Sequence, residues 1–197
     1  MDAQRAVSWD EPAWLNPPLS TEIDGDSLIV TTRHHSDFWR HTGYGVVHDN
    51  GHALLTGFET GQAVEVTFVC EFDTLYDQAG LMVRVDDETW IKAGVELSDG
   101  VPQLGAVVTH GRSDWSVAPV AGWAGCRVTI RASRMADAVV VRARREDDPW
   151  RLVRLAPLAP VAVAKAGPYC CSPEREGLRV RFTRFTTGPA DRAVHEG

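Results

Sequence analysis

Val64-Glu65-Val66-Thr67-Phe68-Val69-Cys70-Glu71-Phe72 decides the fold. Its even positions are apolar and most odd ones polar, the period of two that buries one face of a strand. The same alternation returns at 28–32, 78–85, 90–97, 104–109, 127–132, 139–144, 151–155 and 178–185. Turn formers separate these runs: Asp24-Gly25-Asp26, Asp49-Asn50-Gly51, Asp86-Asp87-Glu88, Ser98-Asp99-Gly100 and Glu146-Asp147-Asp148-Pro149. No stretch carries a convincing helical stripe, so crossover helices are not expected and the sheets should be antiparallel. Many short strands at this spacing spell an all-β sandwich or barrel.

The chain has 197 residues, 20 Lys+Arg, 27 Asp+Glu and a formal net charge of -7. That length reads as a single domain over 1–197, large enough to bury a core without staples. The acidic balance argues against nucleic acid as a partner. No apolar run nears the roughly 18 residues of a membrane span, and the N-terminus lacks a signal-peptide pattern. A cytoplasmic chain with four reduced thiols is expected. Cys70 and Cys126 fall in apolar contexts that read as core, and Cys170-Cys171 closes a strand. Only Lys92 and Lys165 are lysines. The arginine excess reads first as genome composition and second as an arginine-lined face. Arg127, Arg131, Arg142, Arg144, Arg179 and Arg181 alternate with apolar residues and should decorate one outer sheet face.

The runs 78–85 and 90–97 can be paired on paper. Apolar must meet apolar across a buried face, which demands an odd loop. The resulting register pairs Arg84 with Trp90, Met82 with Lys92, Gly80 with Gly94 and Gln78 with Glu96. The non-core face then holds Trp90, Lys92, Glu96, Gln78 and Arg84 around two facing glycines. Facing glycines mark a close approach, of a ligand or of another backbone.

Two segments are candidate loops of the site. Arg33 to Gly45, followed by His48-Asp49-Asn50-Gly51-His52, holds five of the seven histidines. A metal set of His34, His35, His41, His48, His52 and Asp37 matches no zinc spacing, so no metal or other cofactor is expected and loop packing is preferred. Ser113-Asp114-Trp115-Ser116 reads either as a self-bonded turn or as a rim loop. There Asp114 would accept hydroxyl donors and Trp115 would offer an apolar face, a combination that suits sugars. Glu71-Phe72-Asp73 lacks the third carboxylate of a sandwich glucanase, because Tyr76 stands at that position. For a glycosidase, Glu96 would have to pair with Asp77 or Asp114. Phosphate-loop, dinucleotide and nucleophile-elbow motifs are absent.

Trp14-Leu15-Asn16-Pro17-Pro18, Ser36-Asp37-Phe38-Trp39-Arg40, Leu75-Tyr76-Asp77-Gln78-Ala79-Gly80-Leu81-Met82, Trp90-Ile91-Lys92-Ala93-Gly94-Val95-Glu96 and Gly167-Pro168-Tyr169-Cys170-Cys171-Ser172-Pro173 together resemble the domain-of-unknown-function family that includes the yeast regulation-of-enolase protein. The resemblance covers about 14–185. It implies a concanavalin-like jelly-roll β-sandwich of two antiparallel sheets, and it carries no catalytic residues to transfer. A lectin-like fold is not itself proof of sugar binding. The favoured expectation is a non-catalytic intracellular module that binds a carbohydrate or sugar-like metabolite on a concave face. Its expected site is Asp37, Trp39, His41, Asp77, Gln78, Arg84, Trp90, Lys92, Glu96, Asp114 and Trp115. The alternatives are a glycoside hydrolase and a regulatory protein-interaction module. A homodimer through open sheet edges is compatible with each.

Overall fold

The computed structural model describes residues 4–195. The strands in chain order are β1 (Arg5–Ala6), β2 (Ala13–Leu15), β3 (Ser20–Asp24), β4 (Ser27–Thr31), β5 (Phe38–Arg40) and β6 (Val47–Asp49). There follow β7 (His52–Phe58), β8 (Gln62–Val69), β9 (Gln78–Arg84), β10 (Thr89–Ser98), β11 (Val101–His110) and β12 (Arg112–Pro119). The last are β13 (Arg127–Arg134), β14 (Ala138–Arg145), β15 (Arg151–Pro157), β16 (Ala164–Cys171) and β17 (Arg179–Pro189). Among the described residues a single 3-10 turn spans Ala121–Trp123, and no helix is long and apolar enough to cross a membrane.

One sheet runs β15-β14-β13-β8-β17-β4-β3, with β1 beside β17; the other runs β12-β11-β10-β9-β16-β7-β2. All pairings are antiparallel, and the sheets stack face to face as an all-β sandwich. Alternation supplies the core from both: Val64, Val66 and Phe68 from β8, Leu81 and Val83 from β9, Ile91 and Val95 from β10, Ile130 from β13, Phe182 from β17. Each such side chain contributes about 1.5–3 kcal/mol by leaving water. The Phe68 and Phe182 rings meet edge-on at 6.3 Å.

The register of β9 on β10 is the expected one: Arg84↔Trp90, Met82↔Lys92, Gly80↔Gly94, Gln78↔Glu96. The facing glycines serve the backbone. A Cβ on Gly80 would stand 2.1 Å from the Ala93 carbonyl oxygen, and one on Gly94 2.1 Å from that of Ala79. Three expectations need correction. Ser113 to Ser116 is no turn but part of edge strand β12, where Asp114 pairs with Val108 and Trp115 with Val107. Cys126 is half-buried rather than core, its thiol turned to the Gly122 and Ala124 carbonyls. Cys70 is core, and burial, with a smaller push from Cys126, lifts its thiol to about 12. β16 escapes the alternation rule because Ala164-Lys165-Ala166-Gly167-Pro168 offers small residues and a proline to a central strand.

The arginines do gather on the outer face of the first sheet, but paired. Arg131 donates to Glu65 at 2.7 Å and to Asp191 at 2.9 Å; Arg142 donates to Asp191 at 3.0 Å and to the Val194 carbonyl at 2.7 Å. Arg179 meets Glu22, Arg181 meets Asp24, and Arg144 stacks on Trp150. The segment after β17 therefore covers part of this face, which is why Glu65 is buried despite pointing away from the core.

Candidate functional site

The face of the second sheet turned away from the main core is half covered. The β5–β6 hairpin lies across it, and Phe38 inserts against Trp90 (centroids 6.0 Å), Met82, Val107 and Tyr169 to make a second, smaller core. Side chains from several elements fasten the hairpin. Arg84 makes a bidentate pair with Asp49 at 2.6 and 2.8 Å. The Arg40 backbone N–H donates to Ser113 Oγ at 2.9 Å, and Asn16 Nδ2 donates to the Asp49 and Gly51 carbonyls. Gly51 has no alternative, since a Cβ would sit 2.4 Å from the Phe38 ring.

Beside the hairpin a cleft of about 320 Å³ stays open. Its floor is Lys92, Gln78, Glu96 and Val107, which strand alternation points to this face. The hairpin supplies Trp39, Tyr44, Val46 and His48; β12 supplies Trp115; Tyr76, Pro173 and Glu174 come from loops. Lys92 Nζ donates to Asp37 Oδ1 and to Gln78 Oε1, both at 2.9 Å, and Gln78 Nε2 donates to the Tyr76 carbonyl at 3.2 Å. Burial pulls the Lys92 ammonium toward its neutral form, but Asp37 and the other negative groups outweigh this and hold its pKa above the ordinary lysine value. Two of its three N–H donors are thus used. Burial raises the Glu96 carboxyl, and Lys92 offsets this only in part. Ser98 Oγ reaches Glu96 Oε1 at 3.3 Å.

The walls are aromatic. Trp39 meets Trp115 at 6.4 Å with planes 86° apart and Tyr44 at 5.5 Å with planes 67° apart. The Trp39 indole N–H is spent on the Thr42 carbonyl. Tyr76 sits at φ 63, a left-handed conformation that costs a bulky residue of order 1–3 kcal/mol. Its N–H donates to the Leu97 carbonyl at 2.7 Å, tying this turn to β10.

The structure brings Asp37, Trp39, Gln78, Lys92, Glu96 and Trp115 together in the cleft. It places the other expected residues elsewhere. Trp90 is 2% exposed beneath Phe38, so its ring cannot stack on a ligand. Arg84 is consumed by Asp49. Asp77 is fully buried and held by Arg175 at 3.0 and 2.6 Å. Asp114 faces the sandwich side of β12 and pairs with Arg154 at 2.9 Å. His41 sits at the hairpin turn with φ 61. Of the carboxylate pairs a glycosidase would need, only Glu96 lines the cleft; Asp77 and Asp114 do not. Tyr44, His48, Tyr76 and Glu174 were not among the expected site residues; Tyr44 and His48 lay in the segment read as a candidate site loop, Tyr76 lay beside Asp77-Gln78, and Glu174 carried no signal.

The histidines go separate ways. His34 and His35 stack on each other at 3.6 Å, and His35 Nδ1 reaches the Pro173 carbonyl. His52 accepts from the Arg33 N–H and donates through Nδ1 to the Asn16 carbonyl, while burial lowers its pKa. Among the described residues no group of three His, Cys, Asp or Glu converges as a metal set.

Comparisons with known proteins agree with this architecture. The family described as Protein of unknown function (DUF1349) matches residues 14–190. Regulation of enolase protein 1 of Saccharomyces cerevisiae is 41% identical over 189 residues, spanning 93% of this chain and 92% of its own. A crystal structure of a functionally unknown protein from Saccharomyces cerevisiae superposes with a TM-score of 0.87 at 36% identity, over 95% of this chain and 100% of that one. A xylan β-1,4-xylosidase from Bacillus halodurans C-125 superposes with a TM-score of 0.66 at 13% identity, over 90% of this chain and 39% of that one. That last likeness speaks for the jelly-roll, concanavalin-like sandwich and for nothing further.

Proposed function

This chain belongs to the DUF1349 family, and on that footing we propose that it is a non-catalytic binding module for a carbohydrate or sugar-like metabolite. The observation that carries the reading is the cleft itself: a buried polar floor of Lys92, Asp37 and Gln78 beneath the walls of Trp39 and Trp115. Sugars present hydroxyls at their edges and C–H groups on their faces, and such a floor and such walls suit both. The third N–H of Lys92 and the Glu96 carboxylate are available to ligand hydroxyls. Support for an intracellular setting comes from four cysteines held as free thiols.

Calorimetric titration against a panel of mono- and oligosaccharides tests the reading. Trp115→Ala and Glu96→Ala should each weaken binding roughly tenfold or more. Saturable binding that neither substitution changes would overturn the site. A second reading is favoured by the name of the yeast relative, regulation of enolase protein 1. It makes the module a regulator that docks on a metabolic enzyme. Co-sedimentation with purified enolase, with and without sugar, separates the two.

A further inference from the structure

The charges around the cleft do not balance. Lys92 is neutralised by Asp37. The cations that flank the cleft are spent as well, Arg84 on Asp49 and Arg175 on Asp73 and Asp77. Glu96 and Glu174 both line the cleft, and among the described residues neither has a basic partner within ion-pair distance. The same cleft is lined by aromatic rings at steep angles to one another, Trp39 against Trp115 and Tyr44. With its indole N–H already bonded, Trp39 offers a ligand only its π surface. Ring faces attract cations, the more strongly the less solvated the cation is.

We infer that the cleft takes a ligand bearing an organic ammonium group, held by the aromatic walls and by Glu96 and Glu174. The inference deepens the sugar-binding reading and rests on it: within that reading the ligand is an amino sugar with a free amine. The group fits what each wall lacks. A neutral sugar would leave the half-buried Glu96 carboxylate without a counter-ion of its own, whereas an ammonium supplies one to it and to the exposed Glu174. The unused Lys92 N–H then serves a ligand oxygen, as a hydroxylated amine requires. The Tyr76 hydroxyl agrees with a negative potential here. Its pKa is raised first by burial and then by Tyr44, Glu96, Asp99 and Glu174.

The test is titration calorimetry of the full chain at low ionic strength, at a pH where glucosamine is protonated. The probes are glucosamine, N-acetylglucosamine, glucose and tetramethylammonium. Glucosamine should bind roughly tenfold tighter than its neutral N-acetyl form or glucose, and high salt should erode the difference. Glu96→Gln and Glu174→Gln should each move that ratio toward one. Glu174 lies on an exposed loop, so its variant keeps the test valid if Glu96→Gln perturbs folding. Equal or tighter binding of the neutral sugars would overturn the inference and leave the sugar reading intact. Tetramethylammonium binding without any sugar binding would uphold the cation site and remove the sugar. No saturable binding of any probe would overturn both.

Discussion

Lys92 is an ammonium on a strand floor, only 4% exposed, and Asp37 is the carboxylate it is paired with. Removing one partner of such a pair leaves an uncompensated buried charge, which costs more than the pair itself contributes. Asp37→Asn should therefore destabilise the protein by about 3 kcal/mol in urea unfolding at pH 7, and adding Lys92→Met should restore part of that loss. The pair's contribution is full below the ordinary lysine value and is lost as pH rises through the raised folded value. Glu96 also loses stability as pH rises, but the form that folding favours is the neutral one. Its folded pKa is raised, so folding favours the protonated acid and the ionised form costs stability at neutral pH. Glu96→Gln should raise the urea midpoint at pH 7, with the gain shrinking as pH falls through the raised folded value and gone below the ordinary carboxylate value of about 4.3. A residue that strains its own fold in this way is a mark of a binding site.

At the scale of elements, the β5–β6 hairpin turns a sheet face into a cleft. Its grip depends on the Arg84–Asp49 fork and on Phe38. Arg84→Met should speed amide exchange across 38–49 while exchange in β13 and β14 stays unchanged, as read by hydrogen–deuterium exchange. An unchanged hairpin would show that Phe38 suffices. This hairpin also explains what the sequence could and could not disclose. Alternation placed Gln78, Lys92 and Glu96 on one face and set their register, because pairing and burial are properties of neighbouring residues. The same rule put Trp90 on that face and could not say that Phe38 would cover it, since coverage is decided by a segment some fifty residues earlier. Ser113-Asp114-Trp115-Ser116 looked like a turn because its residue types favour self-bonding. Pairing with β11 over the whole strand overrides that preference. Tyr44 and Glu174 sit on loops, where no periodicity reports direction.

Across the whole molecule the two sheets are finished differently. The second carries the cleft, while the first is overlaid by arginine–carboxylate pairs that fasten the segment after β17. Asp191 is the junction. Burial would raise its carboxyl, but Arg131 and Arg142 outweigh this and lower it. Its contribution is therefore present above the ordinary aspartate value and lost as pH falls through the lower folded value. Asp191→Asn should cost about 2 kcal/mol at pH 7, and the gap to the parent should close in acid, as followed by thermal unfolding across pH. The β9–β10 register has a further consequence, for insertions and deletions. Because side chains alternate with every step, one residue inserted within β10 ahead of Lys92 would send Ala93 and Val95 into the cleft and drive Lys92 into the main core. The tip between β5 and β6, residues 41–46, has no such phase to keep. The cleft can therefore be lengthened, shortened or redecorated at its roof in single-residue increments, while its floor can change only by substitution.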